Sequence, residues 1–502
     1  MNIGLSETNK NLNSFLFKYF LSNILINFFF YLYPNVLLPL IIYTLLFFFS
    51  LIHISKIYKN YIFCFFAHIL ALFLINLTYL NFILSVIINH LFSDQDFNSL
   101  MLFNFYCDLK SYFLANIYLT IFSFLIVVFF NLFIKFDFIE STINKIEFNN
   151  LKISKKKNFF LICVCLIIES IYLFSGTLGS QISGSFILDD KNDSATWFTH
   201  FYYFIVTFHL LLNLLFLKNK SNNFSSKTFI LFSFIANFIF YGFFMRRMAV
   251  QFIFISIITY FMLSEIKIKK IKFFIINVIL ISILFQFTNF LQLIRTSEIY
   301  SVQENQNLKE IILEGRIFEY FTNQDMRNEA QEISMKNFSK RLFSNHELAT
   351  IFYFEKNTEK KFLNGQLIIN NIVRTIPQVI FPGKINYLSS DLLISSITDS
   401  PLYRTDTIDS LHSYSYIDFN LMGLIIYPLM ITLMLYFFYR MINSKFINSF
   451  SALFIIMLFL PMYSLRVAEI NLNDWFVLIR NIIIFILVFN SILTTSGNKI
   501  PR

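Results

Sequence analysis

The stretch Phe15–Tyr33, FLFKYFLSNILINFFFYLY, decides the class of fold. It is apolar over a length that crosses a hydrocarbon layer of roughly 30 Å as a helix. No small-residue cleavage site follows it, so it reads as a first spanning helix that also targets the chain. Runs of the same kind recur as far as Phe489. Of the 502 residues, 56% are hydrophobic and 14% charged, with 70 Phe and only 10 Gly. Soluble proteins keep about 25% charged residues, so an ordinary globular enzyme is excluded. A transmembrane barrel is excluded as well, because its strands alternate apolar and polar residues over about ten positions. Cys64, Cys163 and Cys165 sit in apolar runs and Cys107 stands alone, which gives neither a disulfide framework nor a zinc pattern.

The remaining spans follow by the same rule: Val36–Ile52, Tyr61–Ile88, Tyr112–Ile134, Asn158–Ser175, Phe201–Leu217, Thr228–Met245, Ala249–Leu263, Lys272–Ile294, Tyr416–Phe438, Ser449–Leu465 and Trp475–Ser491. The expected fold is therefore an all-α polytopic membrane protein of about twelve transmembrane helices. Tyr61–Ile88 is overlong and interrupted by Asn76, Thr78 and Asn81, which suggests a tilt or a break. Lysines fall in alternate loops: Lys56 and Lys59, Lys145 to Lys157, Lys218 to Lys227, Lys267 to Lys272, then Lys445. Those loops and both termini are assigned to the cytoplasm by the positive-inside rule. The chain then divides into helices one to nine (1–294), one large extracytoplasmic loop (295–415), and helices ten to twelve with the C-terminus (416–502).

Arginine departs from lysine. Arg246, Arg247, Arg295, Arg374, Arg404, Arg466 and Arg480 map to the outer side, where positive charge opposes the topology signal. A planar guanidinium fork suits phosphate, so an anionic group at the outer surface is one use for them; snorkelling to headgroups is the other. The formal charge of +10 lies mostly in short loops, which points to membrane lipids and not to nucleic acid.

The outer loop changes composition along its length. Leu308–Phe321 and Asp325–Leu342 favour helix, with Ile311, Ile312, Phe318 and Phe321 at amphipathic spacing. Leu363 to Asp418 carries Gly365, Pro377, Pro382, Gly383 and Pro401, the turn chemistry of an irregular segment folded over a site.

Three motifs stand out: Gly242-Phe-Phe-Met-Arg246-Arg247; Ile376-Pro377-Gln378-Val-Ile-Phe-Pro382-Gly-Lys384; and His412-Ser-Tyr-Ser-Tyr-Ile-Asp418-Phe-Asn-Leu-Met-Gly423. In order and sidedness they resemble those of the bacterial O-antigen polymerases (Wzy type), and the last also resembles the joint shared with O-antigen ligases. Gln378 stands where that family has arginine, Ile385 where proline is common and Asn420 where glycine is usual. The resemblance implies an inner-membrane glycosyltransferase without metal or cofactor. It would transfer a glycan from one polyprenyl-pyrophosphate carrier to the sugar end of another carrier-linked oligosaccharide repeat unit. A chain-length regulator is the protein partner it implies.

Such a reaction needs cations for the leaving pyrophosphate and a base for the acceptor hydroxyl. The candidate cations are Arg246, Arg247, Arg295, Arg374, Lys384, Arg404, Arg466 and Arg480. The candidate base is His412, with Asp418 and Asp409 as alternatives; a histidine bonded within its loop explains the same residue. Glu169, near the outer end of the fifth span, costs roughly 2.5–3.5 kcal/mol if it reaches the bilayer centre, and pairing with Arg466 or Arg480 would offset that. Gln286, Asn289 and Gln292 share one face of the ninth span, as a lining of the acceptor path or as interhelical bonds. Trp197, Tyr202, Tyr203 and Trp475 suit either sugar stacking or an interfacial belt.

Two rival classes use parts of the same pattern. Asp189-Asp190 suits a divalent cation, but a hard cation needs several oxygen ligands and no second acidic cluster follows. A lipid-linked oligosaccharide flippase or other transporter uses glycine- and proline-broken helices, against which the scarcity of glycine argues. An O-antigen ligase differs only in its acceptor. The topology is tested by reporter fusions: alkaline phosphatase is expected to be active when fused near Asn345 and inactive near Lys155, and the reverse result would invert the sidedness.

Overall fold

The structure is a computed structural model. It describes residues 2–58, 66–92, 108–135, 138–139, 141–142, 155–174, 193–218, 224–244, 279, 282–283, 286, 289–290, 293, 315–341, 345–355, 362–376, 380–387, 393–394, 410–445, 447–464 and 475–483. Among the described residues regular structure is helical and no strand occurs. The helices used below are α1 (Asn2–Leu32), α2 (Leu37–Tyr58), α3 (Phe66–Phe92), α4 (Leu109–Phe133), α5 (Lys155–Phe174), α6 (Asp193–Lys218) and α7 (Phe224–Phe244). They are followed by α8 (Arg316–Thr322), α9 (Gln324–Arg341), α10 (His346–Phe354), α11 (Gln366–Thr375), α12 (Leu411–Phe419), α13 (Gly423–Asn443) and α14 (Ser449–Ser464).

Packing divides the chain into two compact units. Met1–Ile146, Ser339–Ile447 and Met462–Ile482 form the first; Glu147–Phe338, Asn448–Pro461 and Ile483–Arg502 form the second. Each unit therefore draws on all three segments that the sequence delimits.

Both units turn apolar side chains outward and polar ones inward. In the first, α1 exposes Phe17, Leu21, Leu25 and Phe28, and α2 exposes Leu37, Ile41, Leu45 and Phe48, at intervals of three or four residues. The opposite face of α1 buries Tyr19, Asn23, Asn27 and Phe30. In the second, α5 exposes Phe160, Ile167 and Ile171 while burying Asn158, Cys165 and Glu169. α7 exposes Leu231, Phe232, Ile235 and Ile239 while burying Ser233 and Asn237. A continuous outward apolar stripe is a liability in water and the ordinary surface in hydrocarbon. By length and composition Leu12–Leu32, Leu109–Phe133 and Leu411–Asn443 are long and apolar enough to span a membrane, and five shorter apolar helices accompany them. These features are those of an α-helical membrane protein.

In the first unit α4 is the central helix. α1 runs antiparallel to it, with the Asn131 amide donating to Asn13 Oδ1 at one end and Phe30 against Phe113 at the other. α3 is also antiparallel, with His68 against Phe130 and Phe82 against Tyr112. α13 runs parallel to α4, with Tyr439 against Phe130 and Asn443 bonded to Phe138 O and Thr142 Oγ1. Contacts thus sort into two ends. Asn13, His68, Asn131, Thr142 and Asn443 gather where α4 finishes. Asn116, Tyr118, Asn345, His412 and Ser415 gather where α4 begins.

Several expectations change. Over Phe66–Phe92 the chain is one unbroken helix: Asn76 and Thr78 bond the backbone carbonyls of Leu72 and Leu74 one turn back and so leave the helix ladder intact. Leu363 to Asp418, expected to be irregular, contains α11, a 3₁₀ turn (Pro382–Asn386) and α12 among the described residues. Gly365 precedes α11, Pro382 and Gly383 lie in the 3₁₀ turn, and Pro377 and Pro401 lie outside the described residues. The apolar helical stretch expected from Tyr416 starts at Leu411. The eighth span and most of the ninth lie outside the described residues.

Candidate functional site

The third motif folds into a tight joint. α12 ends at Phe419, a single 3₁₀ turn (Asn420–Met422) follows, and α13 starts at Gly423. Asn420 has φ 54° and ψ −139°, a backbone region that glycine enters far more readily than asparagine. This accounts for a glycine being usual at that place in the family the motif resembles. A Cβ on Gly423 would lie 1.9 Å from the carbonyl oxygen of Ser415 and 2.4 Å from its carbon. Only a hydrogen there lets α13 start so close to the backbone of α12.

Asp418 ties this joint to α11. Gly365, at the start of α11 with φ 92°, has no side chain with which to cap the helix. Asp418 Oδ1 replaces that cap by accepting the backbone N–H of Gly365 at 2.8 Å and of Leu367 at 3.3 Å. Its Oδ2 accepts the Tyr427 hydroxyl at 3.1 Å. The main chain reinforces the junction, with the N–H groups of Leu363 and Asn364 donating to the carbonyls of Ile417 and Asp418. A carboxylate at a helix N-terminus also meets the positive end of its dipole. Asp418 is fully buried, and both of its oxygens are engaged in holding the start of α11 and Tyr427.

At the other end of α11 two arginines meet. Arg374, in its last turn, donates through Nη1 to the carbonyl of Tyr387 at 3.1 Å. Arg480, in the helical segment 475–483, donates through Nη1 to the carbonyl of Thr375 at 2.7 Å. Both side chains are part-buried, and cations at a helix C-terminus are favoured by its dipole. α11 therefore carries an acid at its N-terminus and a basic pair at its C-terminus.

His412, on the first turn of α12, is 1% exposed, and its Nε2 lies 3.0 Å from Asn345 Oδ1. Its ring packs on Phe122 of α4. Beside it the Ser415 hydroxyl bonds the His412 carbonyl and Tyr118 Oη, and Ser410 donates to Glu347 Oε2. Asn345 donates to Asn116 Oδ1, so the start of α10 is fastened to the first turns of α4.

The second unit has its own buried polar cluster. Glu169 and His209 are both fully buried, with Nδ1 2.8 Å and 3.0 Å from the two carboxylate oxygens. His209 Nε2 meets Ser233 Oγ at 2.8 Å, Ser233 donates to Asn213 Oδ1, and Asn237 donates to Val206 O and towards Glu169. Glu169 thus pairs with His209, where the sequence suggested an arginine. The sequence held a signal: Cys165 and Glu169, His209 and Asn213, and Ser233 and Asn237 each recur four residues apart, on one helix face apiece. Gln286 also has a partner, the Tyr320 hydroxyl of α8 at 3.0 Å.

Asp418 is thus joined to α11, whose far end holds Arg374 and Arg480, while His412 lies at the opposite end of α12 and bonds Asn345. Lys384 lies in the 3₁₀ turn Pro382–Asn386, and its side chain is outside the described residues. Arg246, Arg247, Arg295, Arg404, Asp409, Arg466, Gln292, Asp189 and Asp190 lie outside them altogether. Asn345, Asn116 and Tyr118 were not singled out from the sequence. Among the described residues no three His, Cys, Asp or Glu side chains converge as ligands for a metal ion. Comparison of the chain with protein families, with curated proteins and with solved structures finds no match.

Two substitutions at the joint are expected to act in opposite directions. Asn420→Gly removes a strained backbone angle and raises stability by about 1 kcal/mol. Gly423→Ala drives a methyl group into the Ser415 backbone and lowers stability by about 1–3 kcal/mol or more. Thermal midpoints of the detergent-purified proteins measure both, and equal midpoints would contradict the joint's geometry.

Proposed function

We propose that the chain is an extracytoplasmic polymerase of polyprenyl-pyrophosphate-linked oligosaccharide repeat units, building an O-antigen or a related surface polysaccharide at the bacterial inner membrane. One observation carries the reading: two segments that resemble separate motifs of that family are physically joined. Asp418 of the third motif caps α11, and α11 runs directly into Ile376-Pro377 of the second. Arg374 and Arg480 meet at that same helix end. The finer topology, about twelve spans with the large loop outside, is supported by the lysine alternation and by the sorting of contacts to two ends of α4.

In this reading the arginines at the C-terminus of α11 receive the pyrophosphate of the donor carrier, together with Lys384, Arg404 and Arg466 of the same unit. Charge-assisted, bidentate contacts stabilise the negative charge that grows as the sugar leaves. His412 takes the proton of the acceptor hydroxyl, and that oxygen forms the new bond to the anomeric carbon. The bond from that carbon to the pyrophosphate breaks, releasing the carrier. No metal or cofactor enters the proposal, and the chain-length regulator is its proposed partner.

A deletion strain tests the reading through its lipopolysaccharide profile. Collapse of the ladder to core plus one repeat unit is expected for loss of a polymerase. Complete loss of O-antigen would instead indicate a ligase or a flippase, and an unchanged ladder would refute all three.

A further inference from the structure

Six residues on five segments form one hydrogen-bonded chain from α1 to His412. Asn27 Nδ2 bonds the backbone carbonyl of Asn23 at 2.8 Å. Tyr43 Oη lies 2.5 Å from Asn27 Oδ1, Asn116 Nδ2 lies 3.1 Å from Tyr43 Oη, Asn345 bonds Asn116 Oδ1, and His412 Nε2 meets Asn345 Oδ1 at 3.0 Å. Asn27, Tyr43, Asn116, Asn345 and His412 are all at least 97% buried.

The sense of every bond follows from one end. A backbone carbonyl only accepts, so the nitrogen of Asn27 faces Asn23 and its oxygen faces Tyr43. Tyr43 has a single proton and gives it to that oxygen, so it accepts from Asn116. The other side of the Asn116 amide is then its oxygen, which accepts from the nitrogen of Asn345. Asn345 thus turns its oxygen to His412, and Nε2 must carry a proton to bond it. Reversing any one amide would set two donors or two acceptors face to face in a water-free interior, at the cost of an unmade buried bond.

We infer that this amide chain fixes His412 as the Nε2–H tautomer, which leaves Nδ1 as the proton-accepting atom and makes Asn345 its positioning residue. Among the described residues Nδ1 makes no hydrogen bond. Titratable groups on the elements packed against α12 are engaged with other residues of that helix: Tyr118 with Ser415, Glu347 with Ser410, Glu355 with Tyr416 and Tyr427 with Asp418. The other described titratable side chains on these elements are Lys110 and Tyr112 of α4, Tyr353 of α10, Arg374 of α11, and Tyr436, Tyr439 and Arg440 of α13, and none of them bonds His412. When Nδ1 takes the acceptor proton, the imidazolium keeps its Nε2–H bond to Asn345, so the positive charge forms without any partner having to reorient. The role of Nδ1 in glycosyl transfer rests on the proposed polymerase activity; the tautomer does not.

The test is solid-state nitrogen NMR of the full chain in lipid, labelled on histidine, with His412 assigned by comparison with His412→Gln. At neutral pH the wild type is expected to show His412 protonated on Nε2 and bare on Nδ1. Asn345→Leu and the remote Tyr43→Phe are expected to give mixed tautomers. With lipid-linked repeat units, Asn345→Leu is expected to lower kcat for chain extension roughly tenfold to hundredfold at unchanged KM. A wild-type His412 protonated on Nδ1 would overturn the assignment, and that measurement does not depend on whether either variant folds. An unchanged tautomer in both variants would overturn the role of the chain. A wild type with the expected tautomer but no chain extension would refute the polymerase reading and the role of Nδ1 in it, while supporting the tautomer itself.

Discussion

In hydrocarbon a polar group has no water to return to, and the packing of this chain follows from that constraint. Outward faces are therefore Phe, Leu and Ile, and the amides, hydroxyls and carboxylates that the helices contain are turned towards one another. Asn23, Asn27 and Asn76 each begin by bonding a carbonyl of their own helix one turn back. The oxygens of two of these amides reach across to a neighbouring helix, Asn27 to Tyr43 and Asn76 to Ser50, while Asn23 Oδ1 is buried without a hydrogen bond among the described residues. Polar contacts of this kind specify which helices meet, a task that apolar surfaces packed in lipid perform poorly.

The same constraint attaches α10 and α11 to the longer helices. Asn345 reaches the first turns of α4 through Asn116, and the N-terminus of α11 is closed by Asp418 from a different helix. α11 is thereby held at its start by an acid and met at its finish by Arg374 and Arg480. A short helix with poor intrinsic stability becomes a fixed strut when both ends are satisfied from outside it. The joint at Asn420 and Gly423 sets the angle at which this strut meets α13, and His412 sits on the opposite end of α12 from Asp418.

Legibility in the sequence depended on whether a signal was local. The long apolar runs were readable because span length is a property of consecutive residues, and Gly423 and Asn420 were readable as points of a motif. Residues 366–375 were read as irregular because their stabilising partners, Asp418 and Arg480, are distant in the chain. The anchoring bonds of Asp418 to Gly365 and Leu367 are invisible in the sequence for the same reason, since they cross more than fifty residues. The partner of Glu169 was sought among arginines by charge, whereas burial selected His209, with Ser233 and Asn213 relaying its second nitrogen. Four-residue spacing of Asn, Ser and His within apolar runs was the missed signal, and it marks the inward face of a spanning helix more directly than hydropathy does.

The docking of the start of α10 on α4 through Asn345 and Asn116 is the point on which the site depends, and thiol cross-linking in native membranes measures it directly. In a chain whose Cys64, Cys107, Cys163 and Cys165 are replaced by serine, Asn116→Cys and Asn345→Cys are paired and treated with a short bifunctional thiol reagent. The two positions should be bridged in high yield, seen after proteolysis between them as a single retained band, while Asn131→Cys with Asn345→Cys should give none. Absence of the first bridge, or equal yield in both pairs, would contradict the placement of Asn345 at the start of α4 and with it the site built around His412.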